Sequence, residues 1–144
     1  MLNTTKISID DDFCFDRSVD VLNECFGKNY KAWMKASCYL DDRKTVRVWF
    51  PKIAVVEDGI DKPQDSSGEW INTLSFDGMI IKTSNQYGKI MSHEPVVRIT
   101  FAKFPKQSYR YIGTFVYAPE LSDAKVTAFT RISTEVDLTQ WRQI

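Results

Sequence analysis

The sequence predicts an α+β, β-rich domain: a curved antiparallel sheet or small barrel with one or two N-terminal helices packed against it. Three observations carry this expectation. Helical periodicity is confined to the first 36 residues. Short runs of alternating apolar and polar residues recur from Arg43 to Ser133. Clusters of Gly, Pro, Asp, Asn and Ser separate those runs at hairpin-like intervals.

Residues 1–12 read as an acidic N-terminal arm or a short edge strand, KISID. Asp16 is placed to cap a helix over Arg17 to Phe26, whose Val19, Leu22 and Phe26 share a face, and Gly27 suits the position after the last turn. Asn29 offers a start for a second short helix over Tyr30 to Ala36, although a strand fits there as well. In the strand expected over Arg43 to Val56, Val46, Val48 and Phe50 alternate with Thr45, Arg47 and Trp49 until Pro51 bends it. Residues 57–69 read as a surface loop. Trp70 to Thr83 reads as a hairpin turning at Asp77-Gly78. After a loop holding Tyr87 and His93, Val97 to Ala102 and Tyr109 to Tyr117 read as partner strands. Tyr109, Tyr111, Gly113, Phe115 and Tyr117 would line one face of the second, with Gly113 marking a bulge or a close backbone approach. A last strand is expected over Lys125 to Ser133.

The 144 residues fit a single domain, and 43% hydrophobic composition is enough for a core. No apolar run approaches the roughly 18 residues of a membrane span, and the N-terminus lacks a secretory h-region. Cys14, Cys25 and Cys38 are odd in number and widely spaced, with one histidine, His93, far from all of them. That excludes a zinc-finger spacing and fits unpaired thiols in a reducing cytoplasm. Net charge is zero, but the charges segregate. From Pro95 to Pro119 there is no acidic side chain, while Arg98, Lys103, Lys106 and Arg110 are present. Such a stretch builds either one basic face or a solvated strand face whose counter-charges come from elsewhere.

Catalytic constellations are incomplete. Asp123-Ala124-Lys125 has the local form of a metal-nuclease motif, but no aspartate lies between Gly78 and Ser122 to complete it. Tyr111-Ile112-Gly113 is half of a GIY-YIG signature without its first strand. The cysteines read as buried hydrophobes rather than nucleophiles, and His93 as a surface loop residue. No cofactor and no catalytic residue is expected. A nucleic-acid site is better supplied: Trp70, Phe76 and Tyr87 offer stacking faces, Asn72 and Asp77 polar edges, and Arg98, Lys103, Lys106 and Arg110 cations. The plainer reading is core packing for each aromatic and a hairpin turn for Asp77.

The succession WFPKIA at 49–54, WINTLSFDGMII at 70–81, RITFAKF at 98–104, YRYIGTFVY at 109–117 and FTRIST at 129–134 resembles the SRA/PUA-like modules of bacterial modification-dependent restriction systems. The resemblance spans about Arg43 to Glu135. It implies a curved β-barrel that recognises DNA, with a modified cytosine flipped into a pocket. Trp70 and Phe76 would stack on the base, Asp77 would read its edge, and Lys103, Lys106 and Arg110 would hold phosphates. Expected partners are therefore DNA, or RNA, with a nuclease or helicase domain or subunit alongside and no membrane. The alternative function is a protein-interaction or regulatory domain using the same aromatic strands.

Overall fold

The computed structural model describes residues 1–64, 68–91 and 95–142. In chain order these form β1 (Lys6–Ser8), β2 (Cys14–Phe15), α1 (Ser18–Phe26), β3 (Ser37–Tyr39), β4 (Val46–Trp49), β5 (Val55–Glu57), β6 (Ile60–Lys62), β7 (Trp70–Leu74), β8 (Ile80–Asn85), β9 (Val97–Lys103), β10 (Tyr109–Tyr117), β11 (Thr127–Ser133) and β12 (Glu135–Asp137). His93 and part of the 57–69 loop lie outside the described residues.

The fold is the β-rich one expected, a large curved sheet with α1 against it. The order is β3-β4-β9-β10-β11-β8-β7, with β2 added beside the start of β10. All neighbours are antiparallel except β4 and β9, which run parallel with Val48 opposite Ile99. The chain circuits through β5 to β8 between these two, so no hairpin forces them antiparallel. The sheet curls without closing into a full barrel. The chain leaving β4 reaches the far edge strand β7 at the isolated bridge Ile53–Asn72, where the Ala54 N–H donates to the Asn72 carbonyl at 2.8 Å.

Helix α1 forms as the periodicity dictates, burying Val19, Val21, Leu22, Cys25 and Phe26. Gly27 ends it at φ 66°. Arg17 occupies the N-cap position, not Asp16, and it makes no side-chain cap. The Asp16 carboxylate instead accepts from the Ser108 hydroxyl at 2.9 Å, tying the helix entry to the β9–β10 turn. The second helix does not form. The Asn23 side chain takes both backbone groups of Tyr30, at 3.0 and 2.9 Å, and the Tyr30 ring stacks on Trp33 with centroids 5.2 Å apart. The expected acidic arm contains a paired strand: β1 lies antiparallel to β12 and buries Ile7. Within 57–69, Glu57 and Ile60–Lys62 belong to a small β5–β6 hairpin. Asp123 closes a turn, accepting from the backbone of Lys125 and Val126.

Gly113 does mark a bulge. Tyr111 sits opposite Phe101 and Gly113 opposite Thr100, which leaves Ile112 as the extra residue. The alternation expected along β10 therefore breaks. Tyr109 and Tyr111 pack into the core beneath α1, with Phe26, Phe50 and Phe101. Ile112 and Phe115 pack into a second core inside the curl, with Trp49, Ile81 and Phe129. Inserting one residue exchanges the two faces of a strand. Two of the three thiols are buried, Cys25 and Cys38, whereas Cys14 at the short β2 is exposed. Among the described residues no helix is long and apolar enough to cross a membrane.

Candidate nucleic-acid interface

Strand directions sort the candidate side chains. β7 and β9 run the same way, so Trp70 and Arg98 share one end of the curl. The 75–79 hairpin tip and the Phe104–Gln107 turn share the other.

At the first end a cavity of about 390 Å³ opens between the Trp33–Ala36 stretch, the Phe50–Lys52 link and the chain leading into β7. That size falls within the ~300–1,000 Å³ of small-molecule sites. Trp33, Trp49, Trp70, Tyr109 and Met91 supply apolar wall, and Asn72, Gln64, Lys35, Lys52 and Glu69 supply polar groups. A second hollow of about 200 Å³ shares Trp49, Trp70 and Met91 and adds Ser37, Arg47 and Arg98.

Local structure fixes these groups. Trp70 and Asn72 are two apart on β7, so both face the cavity. The Asn72 side chain is buried. Its Oδ1 accepts from the Thr83 hydroxyl at 2.8 Å and its Nδ2 donates to the Lys52 carbonyl at 3.1 Å. A primary amide has two donors and two lone pairs, so one of each remains for a ligand. The Trp49 ring is held from behind by Phe129, at 5.1 Å between centroids, and by the Arg98 guanidinium at 4.9 Å. Trp33 is steadied by its indole N–H donating to the Ser37 carbonyl at 3.3 Å. Burial pushes the Tyr109 phenol above its ordinary value, so it stays a neutral wall at physiological pH.

Of the residues expected from the sequence, the structure brings Trp70 and Asn72 together here. Lys103 adjoins them through Gln64, its ammonium 3.5 Å from the Gln64 carbonyl oxygen. Arg98 is placed differently from an exposed phosphate contact. It is 2% exposed, with its guanidinium against Trp49 and Phe129, because its strand position faces into the curl. Phe76 and Asp77 stand away from the cavity at the hairpin tip. Phe76 is fully solvated. The Asp77 Oδ1 accepts from the Ser75 hydroxyl at 2.7 Å and the Met79 N–H at 3.0 Å. Those bonds, the hydroxyl's first, hold its carboxyl below the usual carboxylate range. Tyr87 is an exposed ring in the Asn85–Gly88 turn. Lys106 is exposed at φ 62° in the β9–β10 turn. Arg110 lines a separate cavity of about 330 Å³ at that same end.

Sequence reasoning did not place Trp33, Lys35, Lys52 or Met91 at a site. Trp33 and Lys35 lie in the stretch given to a second helix, where periodicity conceals a role. Pro51, which breaks the strand just after Trp49, is the signal that the chain bends there to make a wall. Among the described residues no group of three or more His, Cys, Asp or Glu side chains is placed to hold a metal.

Comparison with solved structures finds the fold in the 5-hydroxymethylcytosine-specific restriction enzyme AbaSI. The TM-score is 0.66 at 23% identity, over 92% of this chain and 42% of that one. This chain thus spans less than half the length of the enzyme it matches. Sequence comparison with curated proteins gives no match. The model of the SET and RING associated domain matches residues 1–138, extending the likeness read from residues 43–135 through α1 and β1 to β12. By that match, over nearly its whole length, the chain belongs to the SET and RING associated (SRA) domain family.

Proposed function

We propose that this chain is a non-catalytic DNA-binding module that recognises a modified base held out of the duplex in the Trp70 cavity. The observation that carries the reading is the cavity itself: tryptophans from three separate segments surround a buried amide with hydrogen-bonding capacity to spare. A base taken out of its stack needs aromatic faces and an edge reader, and this site supplies both. Trp70 and Trp33 provide the stacking faces, and Asn72 addresses the base edge. Lys103 and Lys106 hold backbone phosphate, as does Arg110. Phe76, fully exposed at the hairpin tip, meets the duplex as an apolar contact between base steps, a use apolar side chains have in other DNA-binding proteins. Asp77 serves that tip rather than the base. The family and the fold shared with a restriction enzyme support this reading. Cleavage, in such a system, is supplied by a nuclease domain or subunit.

The test is fluorescence anisotropy with labelled duplexes carrying cytosine, 5-methylcytosine or 5-hydroxymethylcytosine. Tighter binding to a modified duplex is expected, with that preference lost in Trp70→Ala. Equal affinity for all three duplexes, or a preference unchanged by Trp70→Ala, overturns the assignment.

A further inference from the structure

The 330 Å³ cavity at the hairpin end is built around two guanidiniums, those of Arg110 and Arg131. Nothing in the sequence pairs them, since they come from β10 and β11, 21 positions apart. The Arg131 side chain is led there by glycines. A Cβ on Gly113, at φ 132°, would lie 2.3 Å from Arg131 Cδ and 2.8 Å from Cγ. A Cβ on Gly78 would lie 3.0 Å from Arg131 Nη1. The bulge and the hairpin turn therefore leave a channel that the arginine stem fills.

Two like charges share a half-buried, largely apolar bowl floored by Leu74, Phe104 and Ile112. Like charges lining one hollow favour the entry of an anion. The guanidiniums have donors to give it. Arg110 Nη2 reaches the Ile9 carbonyl at 3.4 Å, Arg131 Nη1 reaches the Ile112 carbonyl at 3.5 Å, and Arg131 Nη2 donates to the Met79 sulfur, a weak acceptor, at 3.4 Å. Both carbonyl contacts are longer than the ~2.7–3.2 Å of a good N–H···O bond. Among the described residues no carboxylate forms an ion pair with either. Asp77 is close enough to feel Arg131, but its Oδ1 is turned to Ser75 and Met79. Two planar forks over one hollow suit the bidentate recognition of a phosphate.

We propose that Arg110 and Arg131 form a phosphate-binding site that takes one backbone phosphodiester of the duplex whose modified base occupies the Trp70 cavity. The inference rests on the function proposed above. Four residue steps along β7, from Trp70 to Leu74, span about 13 Å. The two cavities therefore lie far enough apart for the gripped phosphate to flank the extruded base rather than belong to it.

The test measures anisotropy of a 5-hydroxymethylcytosine duplex and its unmodified twin across a salt series, with wild type, Arg131→Gln and Arg110→Gln. Thermal melting checks that each variant is folded. Arg110 leaves no glycine channel empty, so its variant serves should Arg131→Gln fail to fold. Each variant is expected to weaken both duplexes by the same factor, about fivefold to tenfold, and to lower the log–log salt slope by about one. A single uncharged methylphosphonate, walked one phosphate at a time along both strands away from the modified base, is expected to weaken wild type similarly at one position and to leave Arg131→Gln unchanged there; the absence of any such position overturns the site. Unchanged slopes with the modified-base preference intact overturn this site and leave the base pocket standing. Loss of slope with no base preference anywhere retains the phosphate site and removes the base reading. Inorganic phosphate distinguishes the source of the anion. Shifting both arginine side-chain NMR signals while displacing DNA supports a backbone site, and shifting them without displacing DNA overturns it.

Discussion

Asn72 joins three pieces of chain at the cavity, and its replacement is the sharpest test of how that wall is held. Its amide accepts from Thr83 on β8 and donates to Lys52 in the link from β4, while its own carbonyl takes the Ala54 N–H. Asn72→Ala removes both side-chain bonds and leaves the main-chain one. A typical hydrogen bond contributes about 0.5–1.5 kcal/mol net, and a buried group left without a partner costs about 1–3 kcal/mol. Thr83 is 1% exposed, so its hydroxyl is such a group. The expected loss is about 2–4 kcal/mol. Thr83→Val alone, which keeps the shape and removes the donor, is expected to cost about 1–2 kcal/mol. In the double variant the orphaned hydroxyl no longer exists, so the pair couples by about 1 kcal/mol. Urea unfolding of wild type, the two single variants and the double variant gives all four corners of the cycle. An Asn72→Ala stability within about 0.5 kcal/mol of wild type, or a cycle additive to within ~0.5 kcal/mol, refutes the bridging role. The same variant read for binding is expected to lose discrimination between modified and unmodified duplex.

Two further expectations concern the frame and the thiols. Gly113→Ala drives a Cβ into the Arg131 stem and toward the Ser133 carbonyl at 3.1 Å, in a backbone region that strains any L residue. It is expected to cost about 2–4 kcal/mol and to lower Tm by roughly 5–15 °C, and calorimetry showing no shift contradicts the bulge packing. Iodoacetamide at pH 8 is expected to label exposed Cys14 and to spare Cys25, whose thiol burial pushes up to about 12. A native state that keeps this proton longer than the unfolded chain loses stability as pH rises from about 9 toward 12. Equal labelling of both cysteines in the folded protein rules this out.

The parts of the molecule legible in its sequence are those governed by local periodicity. Val19, Leu22 and Phe26 announced α1, and the alternation around Val97 to Phe101 announced β9. Gly113 announced a bulge, but not its consequence: which side of the sheet Phe115 occupies depends on whether Ile112 counts in the register. Asn23 holding Tyr30 is a contact seven residues long that overrides the helical pattern of 30–36. The site was half legible. Trp70 and Asn72 share a strand face, which period two reveals. Phe76 is near them in sequence, yet the whole length of the five-residue β7 separates it from Trp70. Arg98 looked like any cation on an alternating strand. Its place under Trp49 follows from the curl of the sheet, which no local pattern encodes. Arg131 went unnoticed because its neighbours at the cavity, Gly78 and Arg110, are distant in sequence.

The pairing of β1 with β12 also has a consequence for how the molecule comes into being. Lys6 meets Asp137, and Arg142 reaches back to the carbonyls of Thr4 and Cys25. On a ribosome adding about 5–20 residues each second, Ile7 waits roughly 7–26 s for its partner strand to exist. Until then the core beneath α1 lacks its last wall of Val136 and Leu138. Closing a loop that long is entropically costly, so this ladder belongs late in the order of folding. A nascent chain halted before Glu135 would hold its inner curl and leave the helix-side core open to whatever chaperone or neighbour arrives first.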